Sequence, residues 1–146
     1  MPPASRIELD DSLWPLLFIR LTSNLTLADL EDFLAKRLEY MQRHERHVLL
    51  YDTREFRMPT NTLTQRYLEW HRQNELLARE TVLASSVVII SPLIRLTAST
   101  LIHFWPPRMP YHFAATLPDA ARWAADQLQK AGYALQANNI RQRFTR

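Results

Sequence analysis

Apolar positions along the chain switch between short continuous runs and three-four spacing, a pattern that predicts strands alternating with helices. The segment His47 to Leu63, HVLLYDTREFRMPTNTL, shows the switch most clearly: Val48 to Tyr51 reads as a strand buried on both faces, ending on Asp52. Upstream, Ile7 to Leu9 alternates with Glu8 and Asp10 as an edge strand would, and Pro15 to Thr22, PLLFIRLT, reads as a stronger one. Ser23 to Leu25 turns the chain. Leu27, Leu30, Leu34, Leu38 and Met41 then mark an amphipathic helix from Thr26 to about Arg43, with Thr26 as N-cap and Asp29 completing a capping box. Its acids, Asp29, Glu31 and Asp32, come early, while Arg43, His44, Arg46 and His47 lie at or just beyond its negative end.

A second helix is expected from about Thr62 to Glu80, with Leu63, Tyr67, Trp70 and Leu77 inward and Thr62 and Gln65 as a capping box. Val87 to Ile90 reads as a strand, and Leu93 to Trp105 as a short third helix stopped by Pro106, Pro107 and Pro110. Tyr111 to Ala115 suits an edge strand. Thr116, Pro118 and Asp119 open a last helix that buries Ala120, Ala121, Trp123, Ala124 and Leu128 and ends at Gly132, which suits the left-handed C′ position. The order ββαβαβαβα predicts a single α/β domain over residues 1–132: a mixed, mostly parallel five-stranded sheet with right-handed crossovers and about four helices. Residues 133–146, with Arg141, Arg143 and Arg146, read as a C-terminal basic tail.

Composition narrows the chemistry. With 18 Lys and Arg against 15 Asp and Glu, mixed in sign along the helices, the formal charge is only +3, a solvated surface and no nucleic-acid footprint. The single glycine excludes phosphate-cradling P-loops and dinucleotide-binding turns, which need several. Absence of cysteine removes disulfides and thiol chemistry and is compatible with a reducing cytoplasm, the expected location. No apolar run approaches the ~18 residues of a membrane span, and the first residues lack the basic-then-apolar order of a signal peptide.

The segments FIRLTSNLTLADLEDFLAKRLEYM, VLLYDTREFR, SSVVIISP and ATLPDAARWAADQL resemble the SpoIIAA-like proteins, relatives of the STAS (sulfate transporter and anti-sigma factor antagonist) domains, over roughly residues 7 to 130. The stretch SPLIRLTASTLIHFWPPRMP is similar to a bacterial subset of that group with no settled activity. The resemblance implies a STAS-type fold and a role in partner binding. In STAS-type antagonists a serine at the start of a helix is phosphorylated by a partner kinase within an Asp-Ser-Ser-Gly-like sequence. The matching stretch here, Met58 to Leu63, keeps hydroxyls at Thr60 and Thr62 without that acid, serine pair and glycine. Thr60 and Thr62 are therefore candidates for a phosphorylation switch, and capping alone also explains a threonine at Thr62.

Other candidates are isolated. Asp52 ends a central strand, where many α/β folds bind ligands, beside Arg54 and Arg57, which suit an ion pair. His44 and His47 have a zinc-like spacing without a third ligand, and His103 and His112 have no acid or nucleophile nearby in sequence. No metal or cofactor is expected. The third helix is apolar around nearly its whole circumference, so part of it is expected to face a partner or to lie under the folded-back segment Tyr133 to Phe144. Arg95, Thr100, Phe104 and Trp105 are expected as its contact surface, with Trp105 as anchor.

Three function classes compete. The leading one is a non-enzymatic interaction module of SpoIIAA-like or STAS type, regulatory and homodimeric or bound to another protein. The second is a carrier or binder of an apolar ligand, because SpoIIAA-like folds are akin to lipid-transfer domains and the third helix suits the wall of a pocket. A large apolar cavity favours the carrier and a flat apolar surface the adaptor. The third class, an enzyme, is not expected; only a cluster of Asp52, Arg54 and His103 or His112 in one cleft would support it.

Overall fold

The computed structural model describes residues 6–104 and 106–144, Ser23 and Phe104 by their backbone alone. Among them the order is β1 (Ile7–Asp10), β2 (Leu16–Ser23), α1 (Leu27–Gln42), β3 (His47–Phe56), α2 (Asn61–Gln73), α3 (Glu75–Thr81), β4 (Val82–Val88), α4 (Pro92–Phe104), β5 (Tyr111–Ala114), α5 (Leu117–Lys130) and α6 (Ala134–Phe144). The strands lie side by side in chain order. β1 is antiparallel to β2, and the remaining neighbours are parallel. Each parallel step moves the same way across the sheet, so right-handed crossovers put α1 to α4 on one face.

Period-two alternation divides the core accordingly. Leu17, Ile19, Leu49 and Tyr51 pack with Leu30, Phe33 and Leu34 of α1 and with Leu63 and Trp70 of α2. Leu16, Val48, Leu50, Ala84 and Val88 pack on the opposite face with the alanine-rich side of α5 and with Ala137 and Ile140 of α6. Alanines let α5 lie close to the sheet. Its end carries a Schellman motif: Gly132, at φ 99, donates its N–H to Gln129 O and Tyr133 donates to Leu128 O.

Several elements depart from the sequence reading. There are six helices where about four were expected, because Asn74 splits the second and the tail is helical. Asn74 (φ −117, ψ 19) donates both its backbone N–H and its side-chain amide to Trp70 O, ending α2 before α3 starts. Residues Ala134–Phe144, read as a basic tail, form α6, because Ala137, Ile140 and Phe144 present an apolar face to α5 and Phe18. α6 lies across the sheet from α4, so it does not cover that helix. The N-cap of α2 is Thr60, whose hydroxyl accepts from Leu63 N at 3.3 Å; Thr62 is exposed inside the first turn. Pro59 holds the chain extended up to Thr60, and buried Leu63 sets the phase of the helix. β4 begins at Val82, five residues before the predicted Val87, since Ser86 is buried and donates its hydroxyl to Ala120 O at 2.9 Å.

Candidate functional site

α4 is bracketed by Pro92 at its start and Pro106 beyond its end, with Ser91 O accepting from Arg95 N. Ile94, Thr97, Ala98, Leu101 and Ile102 recur at three-four spacing and face the sheet. Below them are Ser85 and Val87 of β4 and Tyr111 and Phe113 of β5, side chains that do not fill the gap, and α4 makes far less backbone contact with the sheet than α5 does. A chamber results. One compartment, about 260 Å³, is walled by residues such as Ile7, Leu21, Phe33, Leu63, Ile89 and Ile94. A second, about 610 Å³, extends toward α2, α3 and the segment after α4. The two meet at Tyr51, Tyr67, Ser85, Val87, Ala98 and Leu101. Both are partly open to solvent.

Polar groups gather in the larger compartment. Arg37 lies in the middle of the apolar stripe of α1, only 2% exposed, and its guanidinium sits 5.0 Å from the ring centre of Trp70. Its Nη1 has no hydrogen-bond partner, and among the described residues it forms no ion pair. Among the described residues His71 Nε2 is buried without a partner as well, and the buried Tyr51 hydroxyl has only the Tyr67 phenol beside it. His71 is held edge-on against Tyr67, with centroids 4.4 Å apart, and against Trp70 at 5.2 Å. Burial first, and the Arg37 charge second, hold the His71 imidazole down at about 3, so it is neutral at ordinary pH. Burial also pushes the Tyr67 phenol well up.

Around these groups lie charged residues that are exposed and mark the mouth: Arg72, Glu75 and Arg79 from the second helical region and Arg108 from the segment after α4. Glu75 Oε1 accepts from Arg79 and pairs with Arg108, each at 3.1 Å, which ties that segment to α3. Two guanidinium groups thus share one carboxylate at the mouth.

The sequence-predicted residues lie elsewhere. Arg95 and Thr100 are exposed on the outer side of α4, where the large apolar residues are Leu93 (57% exposed) and Leu96 (64%). The side chain of Phe104 and all of Trp105 lie outside the described residues. Thr60 and Thr62 are exposed at the start of α2. Asp52 is gripped by Arg54 through Nε and Nη2 at 2.9 and 2.8 Å; burial alone raises its carboxyl, but those bonds and the Arg54 charge prevail and hold it below the usual range. His47 stacks on Trp14, His44 is exposed near Glu80, and His112 stacks on Trp123 of α5. Asp52, Arg54, His103 and His112 do not line the chamber. Among the described residues no three His, Cys, Asp or Glu are grouped to hold a metal ion, and no helix is long and apolar enough to cross a membrane.

The sequence reading missed Arg37 because a charge on a helix suggests solvent. Its place at the centre of the stripe Leu30, Phe33, Leu34, Met41 was the available signal.

No protein-family model, no curated protein and no solved structure matches the chain.

Proposed function

We propose that this chain is a non-enzymatic binding module that holds an apolar ligand in the chamber beneath α4. The observation that carries this reading is the pair of joined compartments between α4 and the sheet, about 260 and 610 Å³ and walled mainly by aliphatic and aromatic side chains. Their size is that of small-ligand sites, roughly 300–1,000 Å³, and a space lined this way gains free energy by taking up apolar surface. The continuous apolarity of α4 then has a cause: its inner stripe serves the ligand. A binding role without turnover suits the chemistry, since a histidine held down at about 3 is a poor base at neutral pH. A cytoplasmic place suits a chain without cysteine.

Native mass spectrometry of the full chain after incubation with a lipid extract tests this, with Ala98→Trp as control. Ala98 lines both compartments, so an indole there occupies the shared space. A bound small molecule in the parent and none in the folded variant is expected; equal occupancy in both removes the chamber from consideration.

Exposed Leu93 and Leu96 favour a second reading, a regulatory adaptor of SpoIIAA-like or STAS type. On it, the outer face of α4 with Arg95, Thr100 and the neighbouring Phe104 and Trp105 meets another protein or a second copy as a homodimer. Light scattering at tens of micromolar tests the dimer: twice the monomer mass, lost in Leu93→Glu/Leu96→Glu, supports it.

A further inference from the structure

We infer that the ligand is an anionic amphiphile, a long apolar chain ending in a single carboxylate, with the carboxylate seated on Arg37 and the tail running under α4. This rests on the apolar-ligand reading and specifies its chemistry. A buried guanidinium is strongly disfavoured unless it is paired, and among the described residues no carboxylate pairs with Arg37. It lines the larger compartment together with His71, which also buries a polar atom without a partner among the described residues, and with Tyr51, whose hydroxyl has the Tyr67 phenol beside it. A carboxylate there accepts from the guanidinium and from the tyrosine hydroxyl, and the neutral His71 donates from Nε2 in the matching tautomer. Two orphaned groups, Arg37 Nη1 and His71 Nε2, are satisfied by one ligand group, with the Tyr51 hydroxyl as a third donor.

The charge count selects the class. Among the described residues Arg37 is the one buried cation lining the site, and the neighbouring imidazole stays neutral, so a monoanion balances the charge while a phosphate monoester near −2 does not. At the mouth Arg79 and Arg108 share the single carboxylate of Glu75, and this local excess of positive charge draws an anion inward. Beyond Arg37, the passage by Tyr67, Val87, Ala98 and Leu101 leads to the smaller compartment, whose walls include Ile7, Leu21 and Phe33. A headgroup at one end and an apolar path at the other match an amphiphile.

The test uses the full chain stripped of bound lipid and titrated by calorimetry with palmitate and with hexadecanol, which share a tail and differ in the headgroup. Palmitate is expected to bind at least about tenfold more tightly, because a charge-assisted hydrogen bond is worth that much or more. In Arg37→Met the preference should disappear while hexadecanol affinity is kept. Equal affinities for the two ligands in the parent chain overturn this inference and leave the apolar-ligand reading intact. Binding of neither overturns both. The comparison within the parent chain decides the matter even where Arg37→Met fails to fold. A third arm uses phosphatidylglycerol vesicles: uptake of that phosphodiester without uptake of palmitate also overturns the assignment.

Discussion

Replacing Arg37 with methionine is expected to stabilise the ligand-free protein, although it deletes a side chain with only 2% exposure. An unsatisfied buried donor costs about 1–3 kcal/mol, and a charged one more. Against this, the desolvated guanidinium gains about 2 kcal/mol from the Trp70 ring, 5.0 Å away. Methionine keeps most of the stem's packing and adapts to the remaining gap. The balance is a gain of about 1–2 kcal/mol, or roughly 4 °C in Tm for a chain of this size. Urea unfolding of lipid-stripped protein measures it, as a higher midpoint at unchanged slope. Saturating palmitate should reverse the order, since only the parent chain gains the headgroup bonds. A loss of more than about 1 kcal/mol in the ligand-free variant would refute the reasoning, because Arg37 would then be serving the fold.

Thr60→Ala should cost about 1 kcal/mol through the lost cap, whereas Thr62→Ala should stay within about 0.5 kcal/mol, both read by urea unfolding. If either threonine is a switch, Thr62→Glu should keep the circular dichroism spectrum and change partner binding, since negative charge is tolerated in the first turn of a helix. Gly132→Ala should destabilise by about 1 kcal/mol; nothing lies within 4 Å of the added methyl, so the cost comes from φ 99 alone. His71 is depressed from 6.5 to about 3, so the unfolded chain takes up a proton first as pH falls. Its stabilising contribution is therefore full above pH 6.5 and lost progressively toward pH 3, and His71→Gln should flatten the decline of urea midpoint between pH 6.5 and 4.

Sequence periodicity located the sheet and the first and last helices of the predicted domain well, because their caps and apolar stripes agree. Thr26 and Asp29 do form the capping box, and Thr116 and Gly132 do bound α5. Where the reading failed, a polar residue was serving the interior. Ser85 and Ser86 hid the first part of β4; Ser86 is buried at little cost because its hydroxyl donates to Ala120 O, and Ser85 is half-buried. Asn74 ended a helix whose apolar spacing runs on to Leu77, by competing for the Trp70 carbonyl. Ala137 and Ile140 gave α6 a stripe too sparse to outweigh its arginines. The chamber was legible only in outline: the all-round apolarity of α4 signalled a second use for that helix. The gap beneath it depends on small side chains at Ser85 and Ala98 meeting across space, which no local pattern encodes.

Methyl-resolved NMR of the lipid-stripped chain during a palmitate titration tests the central claim most directly. The account predicts saturable shifts at Ile94, Ala98, Leu101 and Val87, which line the chamber, with Ala121, Ala125 and Leu128 across the sheet unmoved. Shifts confined to Leu93 and Leu96 on the outer face of α4, or none at saturating ligand, would contradict it.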